Sequence, residues 1–303
     1  MKLLLVDGFY YVYRSFFAIR ELSNSRGEPT NAVYGFIKVL RKMLRDLEPD
    51  LAAVVWDEGL PARRTELQPE YKQNRAEMPD LMKPQIGVIQ RIVPLLGVKN
   101  ASLADTEADD LMASYACAVV RSGGEAVVAT NDKDLFQLVE DRVSVYSTNK
   151  SDLATPKEPF ALLGSDYVRS KWGVAPSLVA DWLALVGDTA DNIPGVPGMG
   201  PKRAAALLSE YGSLNEVLAD PGAIRNATIR EKIAGAQQAI RHNQEMVRLD
   251  VDLPLPVPLE ELVIRPDYPA LIAELETCEF KSLTAEVRAE AGQALPQPQG
   301  ELF

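Results

Sequence analysis

The sequence predicts an α/β fold built on a central, mostly parallel sheet flanked by helices. Three apolar runs carry that expectation: Leu3-Leu4-Leu5-Val6, Ala52-Ala53-Val54-Val55-Trp56 and Ala126-Val127-Val128-Ala129. Runs this short and continuously apolar suit strands covered on both faces. Each leads into an aspartate: Asp7, Asp57 and, past Thr130-Asn131, Asp132. Leu111 to Val120 is amphipathic and reads as a helix between the second and third strands. In open α/β sheets ligands bind beyond the carboxyl ends of the strands. Asp7, Asp57 and Asp132 are therefore expected to converge where that helix begins.

The helix opens with Thr106-Glu107-Ala108-Asp109-Asp110. Thr106 is expected to cap it, and acids in the first turn suit its positive end. A solvated acidic helix start would explain one or two of these carboxylates, but three stand together ahead of an apolar helix. Glu107 and Asp110, three apart, share a face and repel when unpaired. A positive group is expected between them, and a divalent metal serves best. Asp134 follows in Asn131-Asp132-Lys133-Asp134, and Asp188 and Asp191 form a last pair. Nine carboxylates in one cleft would need two or more divalent ions to offset their repulsion.

Composition narrows the chemistry. The chain has 303 residues, 47% apolar and 25% charged, which is globular. A net charge of −11 argues against a nonspecific nucleic-acid coat but not against a nucleic-acid enzyme, because basic patches can be local. Cys117 and Cys278 read as thiols in a reducing compartment, and no Cys/His cluster could hold zinc. The single histidine, His242, lies in a charged helix, so Ser-His-Asp and Cys-His chemistry are disfavoured. With no signal peptide and no apolar run long enough to span a membrane, a cytoplasmic protein is expected.

In order along the chain, Phe9 to Phe17 supplies six aromatics and Arg14 behind the first strand; the rings read as core, with one or two able to stack a base. Ala32 to Leu47 reads as a helix whose second face, Lys38, Arg41, Lys42 and Arg45, is solvated. Residues 60–85 hold four prolines and no long apolar run, so they read as an excursion over the site and not a core element. Their Arg63, Arg64, Lys72, Arg75 and Lys83 suit a polyanionic substrate drawn toward metals. Ile86 to Leu96 is a helix and Val143-Ser144-Val145-Tyr146 a strand. From about residue 150 the texture becomes helical: Ser165 to Trp172, Ser177 to Val186, and an Ala/Leu-rich helix after Gly195-Val196-Pro197-Gly198-Met199-Gly200-Pro201-Lys202-Arg203. That turn is neither a Walker A loop nor a dinucleotide fingerprint. A hairpin between helices gripping a DNA phosphate fits it better, with an ordinary helix–turn–helix corner as the alternative. Residues 251–258 read as a proline-rich linker, Tyr268 to Leu283 as one short helix, and the tail from Ala289 as disordered.

Several motifs now stand in one order: Leu5-Val6-Asp7-Gly8, Tyr13-Arg14-Ser15-Phe16, Gly27 to Phe36, Tyr71-Lys72-Gln73-Asn74-Arg75, Glu107-Ala108-Asp109-Asp110, Asp132-Lys133-Asp134-Leu135, and Gly187-Asp188 through Gly198. Together they resemble the 5′-nuclease (flap endonuclease) superfamily, most closely the N-terminal 5′→3′ exonuclease domain of bacterial DNA polymerase I, over roughly residues 2–285. The resemblance implies an α/β nuclease core over 1–165 with a helical arch at about 60–85. It also implies a helical DNA-binding module over 166–288 containing a helix–hairpin–helix-like turn, followed by the tail 289–303.

It further implies a structure-specific 5′→3′ exonuclease and flap endonuclease acting on DNA flaps, nicks or 5′ ends. Two or more Mg²⁺ or Mn²⁺ ions would be held by Asp7, Asp57, Glu107, Asp109, Asp110, Asp132, Asp134, Asp188 and Asp191. Lys72 and Arg75 match residues acting at the scissile phosphate. Arg14, Arg64, Tyr71, Gly195, Gly198, Gly200, Lys202 and Arg203 match DNA contacts, and a K⁺ ion is implied on the carbonyls of 195–200. Departures from the pattern are Phe9, Tyr10, Arg63 and Asn131; none removes a carboxylate. The ending Gln299-Gly300-Glu301-Leu302-Phe303 resembles a sliding-clamp peptide, with Gln299, Leu302 and Phe303 as its contacts. A monomer is expected. Rival readings are an inactive DNA-binding scaffold, a metal-dependent RNase, and a haloacid-dehalogenase-type phosphatase, which lacks its second strand-end acid here because Phe9 follows Asp7-Gly8.

Overall fold

The computed structural model describes residues 1–294. In chain order these form β1 (Lys2–Asp7), α1 (Gly8–Ala18), α2 (Asn31–Leu47), β2 (Leu51–Val55), α3 (Ala62–Leu67), α4 (Lys83–Leu95), β3 (Lys99–Ala101), α5 (Ala108–Arg121), β4 (Glu125–Ala129), β5 (Val143–Ser147) and β6 (Ala161–Leu163). There follow α6 (Ser165–Trp172), α7 (Val179–Val186), β7 (Gly187–Asp188), β8 (Ile193–Pro194), α8 (Pro201–Tyr211), α9 (Leu214–Ala219), α10 (Ala227–Val247), α11 (Tyr268–Thr277) and α12 (Lys281–Ala294). They divide into two compact units, each discontinuous in sequence: residues 1–7, 55–77 and 101–256, and residues 8–54, 78–100 and 257 onward.

In the first unit the strands run β1-β4-β5-β6. β1 and β4 are parallel, Lys2 opposite Glu125 through Val6 opposite Ala129; β4 and β5 are parallel, and β6 closes the edge antiparallel. Leu3 to Val6 and Ala126 to Ala129 are buried, as two covered faces require. Parallel pairing brings the carboxyl ends of β1 and β4 to one edge, where Asp7 and Thr130 stand. α5 packs on both strands. The rest of this unit is helical around Trp182, Leu183, Leu185, Leu207 and Ile240. α7, apolar on nearly all sides, is buried by α10 and α8 and stops at Gly187, whose φ is +81°.

In the second unit α1 packs on α2, and β2 neighbours β3. The first-turn N–H groups of α2 are met by a buried glutamine from α4: Gln85 Oε1 accepts from Ala32 N at 2.8 Å and Val33 N at 3.3 Å. Three expectations change here. Arg41 is not solvated but 6% exposed, and pairs with Glu286 and Glu290 of α12. The helix read as Tyr268 to Leu283 is two, broken where Glu279 takes φ +61° and its carboxylate accepts from Ser25 N at 2.9 Å. The segment expected to be disordered from Ala289 is helical through Ala294, held by the Glu290 pair.

Candidate active site

Strand ends and one helix start supply the acids of the first unit. Asp7 closes β1, and its Oδ2 accepts from Thr130 Oγ1 at 3.0 Å. Thr130 Oγ1 in turn accepts from Asp132 N at 3.1 Å, and Asp132 Oδ1 accepts from Asp134 N at 3.0 Å, which folds the Asp132-Lys133-Asp134 turn back toward the strand end. Asp57 Oδ1 accepts from Ala108 N at 2.7 Å. Thus α5 is capped from the end of another strand and not by Thr106, whose hydroxyl donates to Ala104 O instead. Asp188 lies in the short β7–β8 pairing and Asp191 in its connection.

Asp134, Asp188 and Asp191 each bring a carboxylate oxygen within 4.8 Å of the others. Asp134 Oδ1 is buried without a hydrogen-bond partner. Burial first, then Asp132 and Asp7, hold the Asp109 carboxyl well above its usual range. Burial, then Asp132 and Asp188, do the same to Asp134, and burial raises Asp132. Gathered buried carboxylates with an orphaned oxygen among them fit a divalent cation, an all-oxygen site for a hard ion.

The cations of residues 62–77 lie on these acids. Arg64 is 4% exposed, so the excursion is not free of buried residues. Its Nη1 donates to Glu107 Oε2 at 2.6 Å and to Asp110 Oδ2, and its Nη2 to Asp110 Oδ1 at 3.0 Å. The positive group between Glu107 and Asp110 is therefore a guanidinium where a metal was expected. Lys72, at φ +58°, pairs with Glu107, and Arg75 Nη2 donates to Asp191 Oδ1 at 2.8 Å. The buried Tyr71 hydroxyl lies 3.2 Å from both Glu107 and Asp191, so its one proton serves either carboxylate. Burial and those two acids raise the Tyr71 pKa, keeping it a donor. Gln68 Nε2 donates to Asn192 O at 2.7 Å and Asn192 Nδ2 to Glu70 O at 2.9 Å, tying the segment to the β7–β8 connection. Sequence reasoning missed these amide ties and Lys133, whose ammonium is 3.0 Å from Asp188. The charge alternation Asp132-Lys133-Asp134 was the available signal. Arg63, one of the departures, donates to Glu245 O and Arg248 O at the carboxyl end of α10, where a cation suits the helix dipole.

The glycine turn divides in two. A side chain at Gly195 would place its Cβ 2.1 Å from Val186 O, and one at Gly187 2.3 Å from Gly195 N, so these glycines serve close packing. Gly198 has φ +75°, while Gly200 faces open space, followed by Pro201 at the first helical position of α8 and the exposed Lys202 and Arg203. The implied K⁺ does not fit this turn as it stands. Pro197 O accepts from Lys232 Nζ at 2.6 Å and Gly198 O from Arg203 Nη1 at 2.8 Å. Arg14 belongs to the second unit, on α1, where Nη1 donates to the Tyr10 hydroxyl. Gln299, Leu302 and Phe303 lie outside the described residues.

Two family models tile the chain. Residues 2–173 match the 5′-3′ exonuclease N-terminal resolvase-like domain, and residues 174–270 the 5′-3′ exonuclease C-terminal SAM fold. The chain belongs to the 5′-3′ exonuclease family. It is 36% identical over 286 residues to a 5′-3′ exonuclease of Aquifex aeolicus, covering 94% of each chain. It is 40% identical over 285 residues to the thermostable DNA polymerase I of Thermus thermophilus, of which it spans 33%, about one third of that relative's length. Among solved structures, T5 5′-exonuclease with bound zinc superposes with a TM-score of 0.68 at 17% identity, covering 95% of this chain and 99% of that one. The catalytic core of Rad2 in complex with DNA substrate gives 0.60 at 16%, covering 94% and 90%. These likenesses place the 5′-3′ exonuclease chain in the 5′-nuclease fold. Among its described residues no helix is long and apolar enough to cross a membrane.

Proposed function

We propose that this family member is a structure-specific, divalent-metal-dependent 5′→3′ exonuclease and flap endonuclease that hydrolyses DNA phosphodiester bonds in replication and repair. The observation that carries this reading is the buried Asp134 oxygen without a hydrogen-bond partner, in a carboxylate gathered with those of Asp188 and Asp191 and pushed upward in pKa by burial, Asp132 and Asp188. Asp134, Asp188 and Asp191 would hold one Mg²⁺ or Mn²⁺ ion, and Asp7, Asp57, Asp109, Asp132 and Glu107 a second. When bound, such ions supply Lewis-acid activation of water and offset charge on the leaving oxygen. Lys72 and Arg75 already stand on Glu107 and Asp191. Their three and five N–H donors exceed what those carboxylates use, so both can also meet phosphate oxygens of the scissile group. Tyr71, Arg64 and Lys133 orient acids. Lys202, Arg203 and the Gly198–Gly200 turn offer a phosphate contact on the duplex, and Arg14 a second on α1.

With a 5′-labelled flap duplex, Mg²⁺-dependent release of a short product near the junction, abolished by EDTA, is the expected result. Tight binding without cleavage in Mg²⁺ or Mn²⁺ would overturn this reading for the inactive scaffold. The domain division at about 165, a monomeric state and a cytoplasmic setting, which suits the free thiols Cys117 and Cys278, belong to the same proposal. So does docking of Gln299, Leu302 and Phe303 on a bacterial sliding clamp. Deleting residues 299–303 should weaken clamp binding, and an unchanged dissociation constant would remove that partner.

A further inference from the structure

We propose that Arg64 is a positioning residue that withdraws Asp110 from the metal-binding set and fixes the carboxylate of Glu107. This deepens the nuclease reading and rests on it. The five guanidinium N–H groups make five contacts in the structure. Nε donates to Met246 O at 2.8 Å, and Nη2 to Arg248 O at 3.1 Å and Asp110 Oδ1 at 3.0 Å. Nη1 serves Glu107 Oε2 at 2.6 Å and Asp110 Oδ2. A planar five-donor fork is the one side chain able to span two carboxylates and two backbone carbonyls at once.

Asp110 is consumed by this arrangement. One of its oxygens accepts from Arg64, the other from Arg64 and from Asp250 N at 2.9 Å, and its side chain is 4% exposed. Its charge is balanced by Arg64, while the remaining charge of Glu107 is balanced by Lys72. At Asp110 a cation has nothing left to neutralise. The contrast is with Asp134, where a buried oxygen has no donor and the carboxylates of Asp188 and Asp191 each bring an oxygen within 4.8 Å. Glu107 and Asp110 thus part company: Arg64 holds both, but only Glu107 also meets Lys72 and Tyr71, which themselves reach Asp191. The carbonyls of Met246 and Arg248 anchor the fork at the carboxyl end of α10, so the orientation of Glu107 is set from the helical part of the same unit.

The test is Mn²⁺ titration of the full chain by calorimetry, a readout independent of cleavage. Asp110→Asn should bind Mn²⁺ within about twofold of the parent, against a loss of about tenfold or more for Asp134→Asn. Arg64→Met, which releases Asp110 as an uncompensated carboxylate, should bind Mn²⁺ more tightly or take an additional ion, and should lower kcat on the flap with little change in KM. Arg64→Lys should not restore kcat, since an ammonium cannot span the four partners. If Asp110→Asn does not fold, Arg64→Met/Asp110→Leu replaces the whole buried pair by apolar groups and should keep the parental Mn²⁺ affinity. The proposal is overturned if Asp110→Asn, or that double variant, loses Mn²⁺ affinity as severely as Asp134→Asn. It is also overturned if Arg64→Met matches the parent in Mn²⁺ binding and kcat. Absence of cleavage with all Mn²⁺ results as expected would sink the nuclease reading and leave this assignment standing.

Discussion

At the scale of single residues, Asp109, Asp132 and Asp134 set the protein's response to pH. Each is held above the ordinary carboxylate value of 3.8. A raised acid keeps its proton in the folded state after the unfolded chain has released its own. From 3.8 upward to the raised values the folded state therefore binds more protons, and stability falls as pH rises. In EDTA, thermal unfolding should occur at a higher temperature at pH 5.5 than at pH 7.5, and added Mn²⁺ should reverse the order by stabilising the neutral-pH protein. Asp134→Asn should flatten this pH slope and reduce the Mn²⁺ shift together, as differential scanning fluorimetry can show. A slope of the opposite sign would mean that these acids are ionised and compensated in the apo protein. Asp132→Ala should abolish cleavage while leaving duplex affinity intact, as a gel-shift assay alongside cleavage would show.

Among the elements, the β7–β8 connection and the turn into α8 separate packing from binding. Gly187→Ala combines an unfavourable φ of +81° with a Cβ 2.3 Å from a backbone nitrogen. It should cost about 3 kcal/mol or more, read as a fall in the denaturation midpoint. Gly200→Ala meets no atom within 4 Å and should leave stability unchanged. If it weakens duplex binding, the turn is a DNA contact in its own right. Lys202→Ala should weaken binding to all sequences alike and reduce the salt slope by about one. The strand–aspartate units were legible because a period of covered strands is written locally. The helix cap from Asp57 and the guanidinium from Arg64 were not, because each partner lies some fifty residues from α5 in sequence and only the fold sets the distance. For the same reason Arg41 read as solvated: its acids stand at 286 and 290. The break at Glu279 depended on a carboxylate–backbone contact with Ser25, invisible to helical periodicity.

For the molecule as a whole, the −11 charge means that, on the proposed reading, DNA would be held by a few placed cations against a repelling background. The slope of log affinity against log salt should therefore report only a handful of phosphate contacts. The acids that meet in the first unit come from residue 7 to residue 191, and Arg64 is completed by carbonyls at 246 and 248. During synthesis on the ribosome, then, the gathered acids have all emerged well before the guanidinium that holds Glu107 and Asp110 finds its last acceptors. A nascent chain halted anywhere short of α10's carboxyl end carries Arg64 with two of its donors unmet beside carboxylates it cannot yet orient. The arrangement of Glu107 and Asp110 by Arg64 is thereby delayed until nearly the whole first unit has been translated.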